Sequence, residues 1–250
     1  MSVFERRRRS ALLIVIGLAL VTALPALATT VGTFNIAGTV TFTQNTITWT
    51  SDLSPFPPDK ATVGPGPTGI YSALGGTTVT IDDLNRATEP VGVAFPTRPF
   101  ISFDAAPALS PLLISFIFPG IYDPAGCAAS PPAVGQTCTP SLPGAASPFS
   151  FLNTPPPNAP GSSATWVFQG VSADGTETWN GVFTSQFTLP FQTVLAAFAP
   201  GGPGSVTNTY SATITVSSTT TPPVPEPSSM LLLGSGLLGV AGMIRRKLKL

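Results

Sequence analysis

An all-β fold is predicted by three features: recurrent apolar–polar alternation with period two, Pro- and Gly-rich turns between the alternating segments, and no convincing amphipathic helix in the central region. About ten to twelve strands result. Strands without covering helices must bury their faces against another sheet, so the expected architecture is an antiparallel β-sandwich, with a jelly-roll-like variant also compatible. An N-terminal signal helix and a C-terminal transmembrane helix are expected to flank it.

The first 28 residues form a secretory signal. Arg6–Arg9 are its basic region, and Ala11–Leu24 an apolar run of fourteen residues, short for crossing a bilayer. Pro25 ends the run, and Ala26-Leu27-Ala28 is an A-x-A site, which places cleavage between Ala28 and Thr29. An uncleaved N-terminal anchor is the alternative. The Arg8-Arg9 pair lies in a plain arginine run with no cofactor motif after it, so general secretion is expected rather than a twin-arginine route.

The ectodomain is expected over residues 29–218. Phe34 and Ile36, Val40 and Phe42, and Ile47 and Trp49 each share one face of a strand. Gly38 is expected to separate the first two pairs, and Gln44-Asn45 to form the next turn. Val79 and Ile81 resume the alternation after Gly75-Gly76. Val91–Phe95, Phe100–Phe103 and Leu112–Phe118 are more continuously apolar, as in strands covered on both faces. Thr165–Gln169, Thr178–Leu189 and Val206–Val216 complete the set. Gln192–Phe198 has room for a turn or two of helix between Pro190 and Pro200, while Ser54–Thr68 and Pro140–Pro160 are expected to be surface loops.

Charge and composition exclude several functions. The basic residues sit mainly at the two ends; between them Lys60, Arg86 and Arg98 face nine carboxylates, a net charge of −6. Three scattered cations give no footprint for a phosphate backbone, so no nucleic acid partner is expected. The chain has no histidine, which removes the commonest general base and metal ligand. No nucleophile elbow or phosphate-binding loop appears, and the prolines in Gly64-Pro65-Gly66-Pro67 and Gly201-Gly202-Pro203-Gly204 remove the amide donors that a phosphate cradle needs. The expectation is a non-enzymatic protein without a cofactor.

Cys127 and Cys138 flank ten residues of a loop in an exported chain, which reads as a structural disulfide. Closing such a loop is worth about 3 kcal/mol in the chain-entropy view. Trp49, Trp166 and Trp179 could form a sugar-stacking platform, but their strand positions favour the core. Asp82-Asp83, Asp123 and Asp174-Gly175-Thr176-Glu177 could supply oxygen ligands to calcium, although none follows a spaced calcium-loop pattern and Asp174-Gly175 reads as a hairpin turn. A carbohydrate- or calcium-binding surface module is therefore the alternative function. A hydrolase using paired carboxylates is a third, for which the sequence shows no facing pair.

A Thr/Pro linker over 219–223 leads to the tail, residues 224–250, which begins Val224-Pro225-Glu226-Pro227. Ser228–Ile244 follows without a charge, and Arg245, Arg246, Lys247 and Lys249 close the chain. A seventeen-residue helix spans roughly 25 Å, the short end for a hydrocarbon core. The basic end stays cytoplasmic by the positive-inside rule and leaves the domain outside.

Motif, span and basic cluster in this order resemble the PEP-CTERM sorting domain of Gram-negative bacteria. The resemblance covers about 27 residues and implies processing by exosortase, a membrane-embedded transpeptidase-like enzyme. It implies secretion machinery, exosortase and the inner membrane as partners of the precursor. Association with exopolysaccharide or biofilm, and a mature form at the cell surface or in the medium, are implied in the same way. A generic tail anchor on a proline-rich stalk is the alternative.

Overall fold

The computed structural model describes residues 30–50, 59–142, 144–155, 161–219 and Leu237. The signal segment with Ala26, Ala28 and Thr29, the sorting residues Val224–Pro227, the expected span over 228–244 apart from Leu237, and the basic end all lie outside them. No helix among the described residues is long and apolar enough to cross a membrane. The compact unit described below occupies Thr29–Thr220.

Its strands are β1 (Thr30–Thr43), β2 (Thr46–Thr50), β3 (Lys60–Val63), β4 (Thr78–Ile81), β5 (Leu84–Asn85) and β6 (Arg98–Phe103). Then come β7 (Leu112–Ile117), β8 (Thr137–Cys138), β9 (Ser150–Thr154), β10 (Gly161–Ser172), β11 (Glu177–Phe187) and β12 (Ser205–Ser218). One short helix, α1 (Phe191–Ala196), joins the last two strands.

The fold is all-β and antiparallel, as expected, but it is a closed barrel rather than a sandwich. Eight strands run in the order β11-β12-β1-β3-β4-β6-β7-β10, and β10 pairs back onto β11 to complete the ring. β9 and β8 extend from β10, while β2 and β5 extend from β1. Closure rests on strand length. β10 and β11 stay in register over ten residue pairs, from Ser162↔Phe187 to Val171↔Thr178, and β1 and β12 pair along nearly their whole length. Strands this long twist and coil enough to bring the sheet round on itself, which removes the two edges a sandwich would have to protect.

Along β1, Phe34, Ile36, Val40 and Phe42 are buried, while Thr33, Asn35, Thr39 and Thr41 alternate with them. β12 follows the same rule with Tyr210, Ala212, Ile214 and Val216. The outward positions of these strands are mostly threonine, serine and asparagine, cross-linked by pairs such as Thr41–Thr207 (2.8 Å) and Thr213–Asn35 (2.8 Å). That uncharged hydroxyl face explains how so sparsely charged a chain covers its core.

Several local expectations are corrected. Gly38 does not divide two strands. It is a buried position within β1, where a Cβ would lie 3.1 Å from the Tyr210 ring that covers it. Val91–Phe95 is not a strand. Val91 forms an isolated parallel bridge with Ile117, and Gly92 takes a φ of 79°, which breaks the alternation between Pro90 and Pro96. The supposed loop Ser54–Thr68 contains β3, and Pro140–Pro160 contains β9; in both, flanking prolines mask a short alternation. Pro99 sits at a register irregularity in β6, and Phe100 and Ile101 beside it are both buried.

The end of the barrel where β1 begins is plugged by a 3-10 segment, Gly69–Leu74, whose Tyr71 and Leu74 are buried. The Tyr71 ring lies 4.8 Å from Phe34 and 5.4 Å from Phe103. Burial, reinforced by Glu177 and Asp174, holds its phenol far above the usual range.

Candidate functional site

The three tryptophans belong to the core. Trp49, Trp166 and Trp179 are each at most 1% exposed, which overturns a sugar-stacking platform built from them. Phe183 joins them: its ring lies 5.3 Å from Trp49, 5.9 Å from Trp166, 4.9 Å from Phe168 and 6.0 Å from Tyr210. The Trp179 indole donates to the Leu113 carbonyl (2.8 Å). The middle of the barrel is thus filled by rings, as the interior of an eight-stranded barrel permits.

Three of the carboxylates singled out in the sequence, Asp174, Asp123 and Asp83, serve local structure. Asp174 accepts from Ser172 Oγ (2.6 Å) and from the Thr176 amide (3.0 Å) and hydroxyl (2.8 Å). These bonds, led by Ser172, pull its pKa down to about 2. Gly175 beside it takes a φ of 74°, and together they turn β10 into β11 as the Asp-Gly pair predicts. Glu177 is raised by burial and by Asp174. Asp123 caps the 3-10 segment Pro124–Ala128 by accepting from the Ala125 amide (2.8 Å). Asp83 accepts from the Trp49 amide (2.8 Å).

Asp59, at a φ of 68°, is pushed up by burial and by the neighbouring charges of Asp83 and Asp82. Asp104 is desolvated, yet bonds from Lys60, Thr80 and Thr78 outweigh that and hold it below the usual range. The ion pair Lys60–Asp104 closes at 2.7 Å. No group of three or more potential metal ligands forms among the described residues.

Cys127 and Cys138 are joined in a disulfide, with Cα atoms 4.8 Å apart. The bridge is less embedded in loop than expected: Cys138 lies on β8 and is fully buried, and Cys127 lies within the short 3-10 segment. Replacing both cysteines by serine, or reducing the bond, is expected to lower stability by about 2–3 kcal/mol. Denaturant midpoints with and without reductant measure this, and coincident curves would contradict it.

This disulfide helps cover an apolar cavity of about 450 Å³ at the barrel end opposite Tyr71. There β1 and β11 finish while β10 and β12 begin, and they contribute Phe42, Phe187, Ala164 and Val206. Phe149 and Phe151 form another wall. Two covers close over it: Val194 and Leu195 of α1 with Phe198 just beyond, and Pro124, Cys127 and Ala128 of the disulfide loop.

Buried Asn153 of β9 ties the covers down. Its carbonyl oxygen accepts from the Phe191 amide (2.9 Å), and its amide donates to Gln192 Oε1 (3.0 Å). Gln192 in turn donates to Gln136 Oε1 (2.7 Å) and to the Ala129 carbonyl (3.1 Å). Gln44 reaches from the β1–β2 turn to donate to the Phe198 carbonyl (3.1 Å). Sequence reasoning missed this site because its parts come from distant segments, and the wall of Phe149 and Phe151 lies in a stretch expected to be a loop. The alternation of Phe149, Phe151 and Asn153 was the one signal that could have revealed it.

Comparison with known proteins bears on the tail. A family model described as the PEP-CTERM protein-sorting motif matches residues 223–247. The chain carries a PEP-CTERM sorting motif. No curated protein and no solved structure matches the chain. The PEP-CTERM match takes in Val224, Pro225, Glu226, Pro227, Arg245, Arg246 and Lys247 and stops short of Lys249. It marks an exported protein sorted by exosortase, with a membrane-anchored precursor that is later exposed at the surface.

Proposed function

We propose that this protein is a non-enzymatic component of the cell surface or extracellular matrix, associated with exopolysaccharide in a biofilm-type envelope. The observation that carries this reading is the PEP-CTERM motif at residues 223–247 on a chain whose ectodomain is a ring-packed barrel. Three of the carboxylates singled out in the sequence are engaged in a turn, a cap and a strand contact: Asp174, Asp123 and Asp83. In this reading the secretory machinery delivers the chain to the inner membrane, the basic end stays cytoplasmic, and exosortase removes the tail. The carbohydrate-binding alternative has lost its tryptophan platform, and a calcium-binding module gains no specific support from the geometry.

The test is deletion of residues 224–250 in the producing bacterium. The truncated protein is expected to move into soluble periplasm or medium, and the extracted polysaccharide matrix to retain only protein that was made with the tail. Unchanged fractionation, or equal retention of both forms, would overturn the proposal.

A further inference from the structure

We propose that the cavity at the end of the barrel binds an uncharged apolar molecule of the acyl-chain class. This goes beyond the surface-component reading and does not rest on it. At roughly 30 Å³ for a water-sized group, 450 Å³ accommodates about fifteen such groups, enough for a medium-length chain. The volume also lies within the usual range of small-molecule sites.

The chemistry of the lining selects the ligand. Phe42, Phe149, Phe151, Phe187 and Phe198 dominate it, and no charged side chain contributes. A carboxylate or ammonium drawn inside would lose its water without gaining a partner. The polar groups in the lining are Thr43, Gln44 and Ser141, of which Gln44 and Ser141 are exposed; they suit a hydroxyl or ester at the mouth. Depth is limited because Trp166 and Phe183 fill the barrel behind, so a chain enters from one side only.

The covers strengthen the case. Apolar walls that face no other protein atoms lack packing partners, and flexible covers would ordinarily settle onto them. Here a disulfide holds one cover and the Asn153–Gln192–Gln136 network the other. Both keep the space open for an occupant. Eight-stranded barrels have room for one small ligand where side chains leave the interior unfilled, and this end is such a place.

The neutral dye N-phenyl-1-naphthylamine tests the proposal on the full-length exported protein. All three tryptophans lie in the barrel and none in the tail. Trp166 is 5.1 Å from Phe42 and 5.6 Å from Phe149, both of which line the cavity. Dye emission excited through tryptophan therefore reports dye held near the barrel's tryptophans, and the cavity variants show whether it sits in the cavity.

Saturable sensitised emission is expected, displaced by 1-dodecanol and much less by dodecanoate at neutral pH. Val206→Phe and Ala164→Phe reach the cavity from two strands and are expected to weaken dye binding roughly tenfold or more. Val206→Phe should do so without lowering the unfolding midpoint, whereas Ala164 is fully buried and its variant is expected to be less stable. Val206 is half-buried at the rim, so its variant remains informative if Ala164→Phe fails to fold. Absence of saturable emission, or undiminished binding in the folded variants, would overturn the site. Equal displacement by dodecanoate, or none by 1-dodecanol, would overturn the ligand class.

Discussion

Phe183→Ala is expected to cost the barrel about 3–5 kcal/mol, because it removes a fully buried ring and leaves a void that its neighbours cannot fill. Those neighbours are themselves rigid rings: Trp49, Trp166, Phe168, Phe100 and Tyr210 all pack against it. Flexible aliphatic side chains could relax inward, but strand-borne aromatics have little freedom to do so. The loss is comparable with the whole stability of a marginal domain, about 5–15 kcal/mol. A fall in melting temperature of roughly 10 °C or more should accompany it. Phe183→Leu retains most of the volume and should cost clearly less, so the two variants separate cavity formation from loss of aromatic contact. Near-ultraviolet circular dichroism should fall in step with the Phe183→Ala midpoint, since the tryptophans report the same packing. A variant melting within a degree or two of wild type would contradict the view of Phe183 as the hub of the core.

The second large effect is expected at Gly170. A Cβ there would collide with the Leu113 carbonyl oxygen and lie 2.6 Å from Trp179 Nε1, the donor that bonds the same carbonyl. The pairing of β10 with β7 is irregular between Gln169 and Gly170, so the two backbones meet unusually closely at this point. Gly170→Ala must either move β7 or break the indole bond, at about 3 kcal/mol or more. Gly181 is the control. Its Cβ would meet Ile214 Cδ1 at 2.8 Å, the end of a flexible side chain that can shift, and Phe183 Cε2 at 2.9 Å, a ring edge and not a backbone atom. Unfolding curves of the two alanine variants should therefore differ, with Gly170→Ala the less stable. The reverse order would show that the β10–β7 approach is not the tight contact.

Legibility in the sequence followed the range of the interactions involved. Alternation along β1 and β12 was plain because the inward residues are mainly apolar and the outward ones mainly small and polar, a property of single strands. The Asp174-Gly175 turn and the cysteine pair were legible because each is a local event within a dozen residues. β3 and β9 escaped because they are short and bordered by prolines; pairing with β1 and β10 stabilises them, not their own propensity. Val91–Phe95 failed in the opposite sense, since its composition favours a strand but Gly92 and the flanking prolines deny it a ladder.

By itself, the sequence determined the address of this protein and the chemistry of its strands. The PEP-CTERM motif is a linear signal, with its proline-glutamate-proline start, uncharged stretch and basic end all consecutive in the chain. The antiparallel all-β class follows equally from periodicity. Only the tertiary structure decided between sandwich and barrel, because closure depends on β10 finding β11 as well as β7, a choice made by twist and length across the whole sheet. Tertiary structure also placed three tryptophans out of reach of any ligand and left an apolar cavity at one end. Burial and void are properties of how distant segments meet, and no single segment contains them.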